Sequence, residues 1–150
     1  MISDLEIVFR LLLATALSGL IGFEREITGR AAGFRTHILV CIGSTLIILT
    51  GIHMLAASGH ANLDPTRMAA QVVSGIGFLG AGTIIQFKDS VRGLTTAASL
   101  WAVAGIGLAV GAGFYVGAFT TTGIVLLVLF VFTRIGRRVG PKARVEKELT

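Results

Sequence analysis

The stretch that decides the fold runs from Ile38 to Ala57 and reads ILVCIGSTLIILTGIHMLAA. It contains no Asp, Glu, Lys or Arg over about 20 residues, the length at which an α-helix crosses roughly 30 Å of hydrocarbon. A helix of a soluble bundle needs a polar face to meet water, and this stretch has none. The stretch therefore predicts a transmembrane helix.

Four other apolar runs of similar length lie at about 5–23, 68–87, 94–112 and 114–133. Only 14% of the 150 residues are charged, whereas a soluble domain usually carries about 25%. We therefore predict an all-α membrane protein, with a bundle of five transmembrane helices in residues 1–133 and a basic tail in 134–150. The linker between the last two runs carries no charge, so the sequence leaves open whether 94–133 forms two full spans. The single cysteine, Cys41, excludes a disulfide framework within the chain.

The basic residues predict the orientation of these helices. Five spans place the two termini on opposite sides of the membrane. Of the 13 Lys and Arg residues, Arg10 and Arg67 then lie on one side and all the others on the opposite side. Basic residues gather on the cytoplasmic side of membrane proteins. The N-terminus is therefore predicted to lie outside and the C-terminus in the cytoplasm.

Glycines crowd the third apolar run, between Ser74 and Gly82. The run contains G-x-G-x-x-G, but no strand precedes it and no acidic residue follows at the required distance, so a dinucleotide site is rejected. Small residues let neighbouring helices approach closely, which predicts the third span at the centre of the bundle with the fourth against it. An alternative is that the run unwinds and offers carbonyl oxygens to an ion. The predicted close-packing glycines are Gly75, Gly77, Gly80 and Gly82.

Charged residues gather in the two predicted cytoplasmic loops. Glu26 and Arg30 are spaced i,i+4, which predicts an interfacial helix with an internal ion pair. The loops carry more cations than anions, and a Mg²⁺ site would need several oxygen ligands, so a metal site is disfavoured there. A charge network that fixes helix ends, or a docking face for a partner, is favoured. The predicted cytoplasmic charged face consists of Glu24, Arg25, Glu26, Arg30, Arg35, Asp89 and Arg92.

A second set of residues is predicted to cap helices or to form hydrogen bonds between them. An alternative role for this set is the entrance of a polar pathway. Trp101 is expected to lie between helices rather than at a membrane interface. These polar candidates for the helix interfaces are Arg67, Gln71, Ser74, Thr95, Thr96 and Trp101.

The remaining patterns exclude several classes of function. The three histidines lack metal-ligand spacing, and no nucleophile and base have a reason to converge, so neither an enzyme nor a metal or other cofactor is predicted. The basic residues follow the ends of apolar runs, which argues against nucleic-acid binding. The basic tail is instead expected to attract anionic lipids of the cytoplasmic leaflet.

Four strings in order along the chain resemble the MgtC/SapB family of bacterial inner-membrane proteins: Gly22–Glu26, Gly29–His37, Arg67–Gly82 and Val91–Trp101. The resemblance implies a multi-pass protein of the bacterial inner membrane with five spans and a cytoplasmic C-terminus. It also implies a role in magnesium and ion homeostasis through regulation of other inner-membrane proteins, such as the ATP synthase or cation ATPases. Longer members carry a soluble C-terminal domain, and this chain is expected to be a short form without it.

Two alternatives to a regulator stay open at the level of sequence. One is a small oligomeric cation channel or transporter with a path along the Gly-rich third helix. Carboxylates are absent from the centres of the second to fifth spans, which argues against an ion-coupled transporter. The other is a structural subunit that assembles with copies of itself.

Overall fold

The computed structural model describes residues 2–58, 64–88 and 90–139. These residues form five helices and one two-stranded antiparallel hairpin. In chain order the elements are α1 (Asp4–Ile27), α2 (Phe34–Ser58), α3 (Pro65–Gly82), β1 (Ile85–Phe87), β2 (Ser90–Arg92), α4 (Leu94–Gly111) and α5 (Tyr115–Val139).

Three helices, α1, α2 and α4, are long and apolar enough to cross a membrane. A shorter apolar helical segment in α5 covers Tyr115–Val131. Large apolar side chains also point outward along the bundle: Leu5 is 80% exposed, Phe78 82% and Val116 75%. Such a surface would be unfavourable in water and is typical of contact with lipid. The chain is a helical membrane protein.

The helix α4 occupies the centre of the bundle, because it packs against each of the other four helices. Among the described residues, α3 packs mainly on α4 and α2, and most of its residues are exposed. The prediction that the third span is central is therefore wrong. The glycines predict that other helices can approach α3 closely, but they do not predict which helices do so.

The third span is predicted over 68–87, whereas the helix α3 begins three residues earlier and ends five residues earlier. Asp64 caps the N-terminus of α3, so the helix begins at Pro65, and it ends at Gly82. The apolar residues that follow form β1, which pairs with β2 so that Ile85 lies opposite Arg92. Gly93 joins β2 to the start of α4 and lies in the left-handed region, with φ of +91°. Apolar character alone did not distinguish the last turn of a helix from a short strand.

Glycines end two of the helices by the same hydrogen-bond pattern. After α1, Gly29 has a φ of +66°, and the amide of Arg30 donates to the Arg25 carbonyl at 3.0 Å. After α4, Gly113 has a φ of +78°, and the amide of Phe114 donates to the Ala109 carbonyl at 2.8 Å. Both are Schellman motifs, which terminate a helix and reverse the chain. Residues 94–133 therefore contain two separate helices.

The fifth helix extends beyond its predicted end at residue 133. It continues to Val139, so the first part of the predicted basic tail is helical. The Arg134 guanidinium lies 4.7 Å from the centre of the Phe130 ring, one turn earlier. Residues 140–150, with the remaining tail cations, lie outside the described residues.

The opposite end of α1 is held to α4 and α5 by a polar cluster. Arg10 Nε donates to Glu6 Oε1 at 2.8 Å and to Tyr115 Oη at 3.0 Å, while Arg10 Nη1 donates to the Gly111 carbonyl at 2.7 Å. The Tyr115 hydroxyl also donates to Glu6. This cluster gives hydrogen-bond partners to an arginine that lies in the apolar part of α1, as is usual for charged residues within membrane helices.

Candidate functional site at the charged end of the bundle

The candidate site lies where α1 ends and where α2 and α4 begin. We call this region, together with the hairpin β1–β2, the charged end. It carries most of the charged residues that the sequence singled out.

Arg25 is the most unusual residue of the charged end, because it is fully buried. Its Nε donates to Glu24 Oε2 at 2.6 Å. Its other two guanidinium nitrogens, Nη1 and Nη2, have no hydrogen-bond partner among the described residues. Buried donors without partners cost free energy and are rare in native proteins. A fully buried cation whose donors lack partners is therefore a candidate functional group.

His37 joins α2 to α4 beside Arg25, and its side chain is also fully buried. Its Nδ1 donates to the Gly33 carbonyl at 2.8 Å, and its Nε2 lies 3.0 Å from Ser99 Oγ. The Ser99 hydroxyl lies 2.8 Å from the Thr96 carbonyl, to which it can donate. Sequence analysis missed this pair, because 62 residues separate its members. The only available signal was the position of one histidine at the start of an apolar run.

Glu26 has a role different from the predicted one. Its Oε2 accepts a hydrogen bond from the Phe34 amide at 2.9 Å and so caps α2. Because α1 ends at Ile27, Arg30 follows the helix, and the predicted i,i+4 pair within an interfacial helix is wrong. The carboxylate lies so close to Gly33 that a side chain there would displace it. The α1–α2 turn is therefore locked to the start of α2.

The rest of the charged face is exposed. Arg30, Arg35, Lys88 and Arg92 all lie at the surface of the charged end. Asp89, the remaining predicted member, lies outside the described residues. With Glu24 and Glu26 engaged as above, the surface presents mainly positive charge. Such a surface can attract an anionic protein segment or lipid headgroup.

The polar interface candidates separate into buried and exposed residues. Thr96 is buried, whereas Thr95 and Ser74 are exposed, as are Arg67 and Gln71 on α3.

Trp101 is 57% exposed, so the expectation that it lies between helices is wrong. It shares the uncovered face of α4 with Ala98, one turn before it, and Gly105, one turn after it.

The predicted close-packing glycines have little contact within the chain. Gly80 faces Ala97 at an ordinary distance, 3.6 Å for an added Cβ, while Gly75, Gly77 and Gly82 have no described neighbour within 4 Å. Close packing occurs instead on α4, where Gly107 and Gly111 contact the backbone of α2. This is a GxxxG pair, the spacing that lets two membrane helices approach closely.

A metal centre receives no support from the described part of the chain. Within residues 2–58, 64–88 and 90–139, no group of three His, Cys, Asp or Glu side chains could hold a metal ion.

Comparison of the sequence with known proteins identifies a family. The model of the MgtC family matches residues 11–138. The chain is 43% identical over 133 residues to the putative magnesium transporter YhiD of Escherichia coli K12, covering 87% of this chain and 62% of that protein. It is 36% identical to protein SapB of Bacillus subtilis, covering 97% and 65%, and 47% identical to protein MgtC of Brucella abortus, covering 77% and 46%.

The chain thus spans from about half to two thirds of the length of these relatives. No solved structure matches it. The family model covers most of the chain, in agreement with the strings that carry the resemblance. The chain belongs to the MgtC family.

Proposed function

We propose that this protein acts in magnesium homeostasis as a non-enzymatic protein of the bacterial inner membrane, by regulating other membrane proteins such as the ATP synthase or cation ATPases. The observation that carries the proposal is family membership, together with a relative named as a putative magnesium transporter. The charged end is the face through which it would act.

The proposal includes a topology of five embedded helices with the N-terminus outside. The distribution of charge supports it. Arg25, Arg30, Arg35, Lys88 and Arg92 lie at the charged end, whereas Arg10 and Arg67 belong to the opposite end of the bundle. Basic residues favour the cytoplasmic side, so the charged end would face the cytoplasm.

A regulator is favoured over an ion-coupled transporter by the interior of the bundle. Its hydrophobic core contains small and aliphatic side chains such as Ala14, Ile21 and Val103, and the polar residues buried beside them, such as Ser18 and Thr45, carry hydroxyls rather than ionisable groups. Ion-coupled transporters usually place ionisable groups along their pathway at membrane depth. Arg25 and Glu24 are near the end of α1 and pair with each other, which suits a regulated contact better than a pathway.

One observation favours the second candidate, an oligomeric cation channel or transporter. Gly75, Gly77 and Gly82 of α3 face open space among the described residues, so a further copy could approach them. A path enclosed between copies would then run along α3.

Two measurements separate these candidates. Purified protein in liposomes should show no flux of Mg²⁺ or monovalent cations, whereas selective flux that Gly77→Leu abolishes would establish the channel. In cells starved of magnesium, loss of the protein should impair growth, and the native protein should co-purify with another ion-handling membrane protein. Normal growth of the deletion strain would contradict the proposed role.

A further inference from the structure

A groove of about 650 Å³ lies between α2 and α3. The groove opens to the outside of the bundle, and its volume falls within the range typical of small-molecule sites. Its walls are apolar along most of their length, and polar side chains enter it mainly at one end. The residues used below are Leu39, Gly43, Arg67, Gln71, Gly75 and Leu79.

Arg67 and Gln71 form the polar end of the groove. They are spaced i,i+4 on α3, so their side chains lie on the same face of the helix. Both are exposed, and within the described residues no hydrogen bond engages either side chain. The nearby carboxylate of Asp64 accepts from the Thr66 amide and hydroxyl. Asp64 also interacts electrostatically with Arg67, but it forms no hydrogen bond with the Arg67 guanidinium, whose N–H groups can therefore donate to a further anion at the rim.

Beyond Arg67 and Gln71, the groove is lined mainly by apolar residues and contains unfilled space. Gly43 on α2 and Gly75 on α3 line it, and neither has a described neighbour within 4 Å of an added Cβ. Leu39 and Leu79 lie toward the charged end of the same groove. An apolar chain could therefore lie along it without displacing a side chain of the bundle.

The groove is apolar along its length and has a cation at one end, and a phospholipid carries an apolar chain and a phosphate in one molecule, so a phospholipid is favoured over an apolar helix. From residue 68 to residue 79, α3 extends about 16 Å. One acyl chain spans about half of the roughly 30 Å hydrocarbon core of a bilayer, or about 15 Å. The apolar part of the groove therefore matches the length of one acyl chain that extends from a headgroup at Arg67.

We propose that this groove binds one anionic phospholipid. Its phosphate is held by the Arg67 guanidinium and the Gln71 amide, and one acyl chain lies between Gly43 and Gly75. A guanidinium donates two parallel hydrogen bonds to a phosphate, which gives the contact its geometry. The site is separate from the charged end, and it does not depend on a role in magnesium homeostasis.

Native mass spectrometry of the full chain, titrated with phosphatidylglycerol, tests this site. The wild type should bind one lipid with clear preference over the following ones, and Arg67→Gln should weaken that first binding about fivefold, the equivalent of about 1 kcal/mol for one basic residue. Diacylglycerol, which lacks the phosphate, should bind the wild type no better than it binds Arg67→Gln.

Matched variants distinguish the groove from general lipid contact. Gly75→Leu fills the groove and should abolish the preferred lipid, whereas Gly123→Leu, at an equally open position of α5, should leave it unchanged. Arg134→Gln removes a cation elsewhere and should also have no effect on the first lipid. Equal weakening by the test and control variants, or equal binding of both lipids, would overturn the proposal. A change of oligomeric state in Gly75→Leu with unchanged lipid binding would overturn it in favour of a protein interface.

Discussion

Gly107 of α4 lies so close to Cys41 of α2 that an added Cβ would be 2.4 Å from the Cys41 carbonyl oxygen. One turn later, a Cβ on Gly111 would lie 2.8 Å from the Thr45 carbonyl oxygen. This short separation of the two helices allows the Thr45 hydroxyl to donate a hydrogen bond to the Gly107 carbonyl at 2.9 Å. Two backbones in contact, with a hydrogen bond across them, hold the central helix in place.

Gly107→Ala should therefore destabilise the protein. The methyl group would meet backbone atoms of α2, which cannot move aside as a side chain would, and overpacking of this kind costs about 1–3 kcal/mol. The free energy of unfolding in detergent measures the effect. Gly105→Ala, on the uncovered face of the same helix, should be neutral or slightly stabilising. Equal destabilisation by both substitutions would contradict the assigned helix contact.

Gly93→Ala should disrupt the hairpin that precedes α4. An alanine in the left-handed region costs about 1–2 kcal/mol, and its Cβ would lie 1.8 Å from the Thr83 carbonyl oxygen. Faster hydrogen exchange at the amides of β1 and β2 would report the loss. Gly43→Ala, a helical position with open space, provides the control and should leave that exchange unchanged. Slow exchange in Gly93→Ala would contradict the left-handed conformation and the close contact assigned to Gly93.

The ion pair of buried Arg25 and partly exposed Glu24 predicts an asymmetry between two substitutions. Glu24→Gln leaves the Arg25 charge buried without compensation, a change that costs about 3–5 kcal/mol. Arg25→Met removes the charge together with the unpartnered Nη1 and Nη2, and leaves Glu24 with partial access to solvent. Chemical unfolding should show the larger loss for Glu24→Gln. A larger loss for Arg25→Met would mean that the guanidinium has stabilising partners.

Asp64 makes the start of α3 sensitive to acid. The hydrogen bond from the Thr66 hydroxyl, and after it that from the Thr66 amide, lower the pKa of this carboxyl below its ordinary value of 3.8. Because the pKa of Asp64 is lower in the folded state, its ionised carboxylate stabilises the cap at pH values above 3.8. This contribution is lost as the pH falls through the lower pKa of the folded state.

Hydrogen exchange at the first amides of α3, corrected for intrinsic rates, should accelerate as the pH falls below about 4. Asp64→Asn retains a capping oxygen without the charge, so its protection should not change over that range. Identical pH profiles of the wild type and Asp64→Asn would contradict the capping role.

Hydropathy was sufficient to predict much of the helical framework. Long apolar runs identified α1, α2 and α4, because a chain segment in lipid satisfies its backbone hydrogen bonds by forming a helix. The ends were less predictable. Ile84 and Ile85 are as apolar as the helix before them, yet they follow it into a turn and a strand. Hydropathy measures burial in lipid, whereas helix ends depend on glycines and local hydrogen bonds.

The candidate site was predictable in composition but not in arrangement. The motif that contains Glu24, Arg25 and Glu26 identified the charged end, and all three lie there. Their roles differ because α1 continues to Ile27, which directs Arg25 inward and Glu26 toward α2. The contact of His37 with Ser99 depends on how α2 crosses α4. Spacing along one helix contains no information about such a crossing.

The most direct test of the functional role of the charged end is growth under magnesium limitation with two charge reversals expressed at equal abundance. Arg92→Glu alters an exposed strand residue beside the start of α4, whereas Arg144→Glu alters a residue of the tail far along the chain. Arg92→Glu should fail to restore growth to a strain that lacks the protein, and Arg144→Glu should restore it nearly as well as the wild type. Equal loss of growth in both strains, or full growth with Arg92→Glu, would contradict a defined functional face at this end of the bundle.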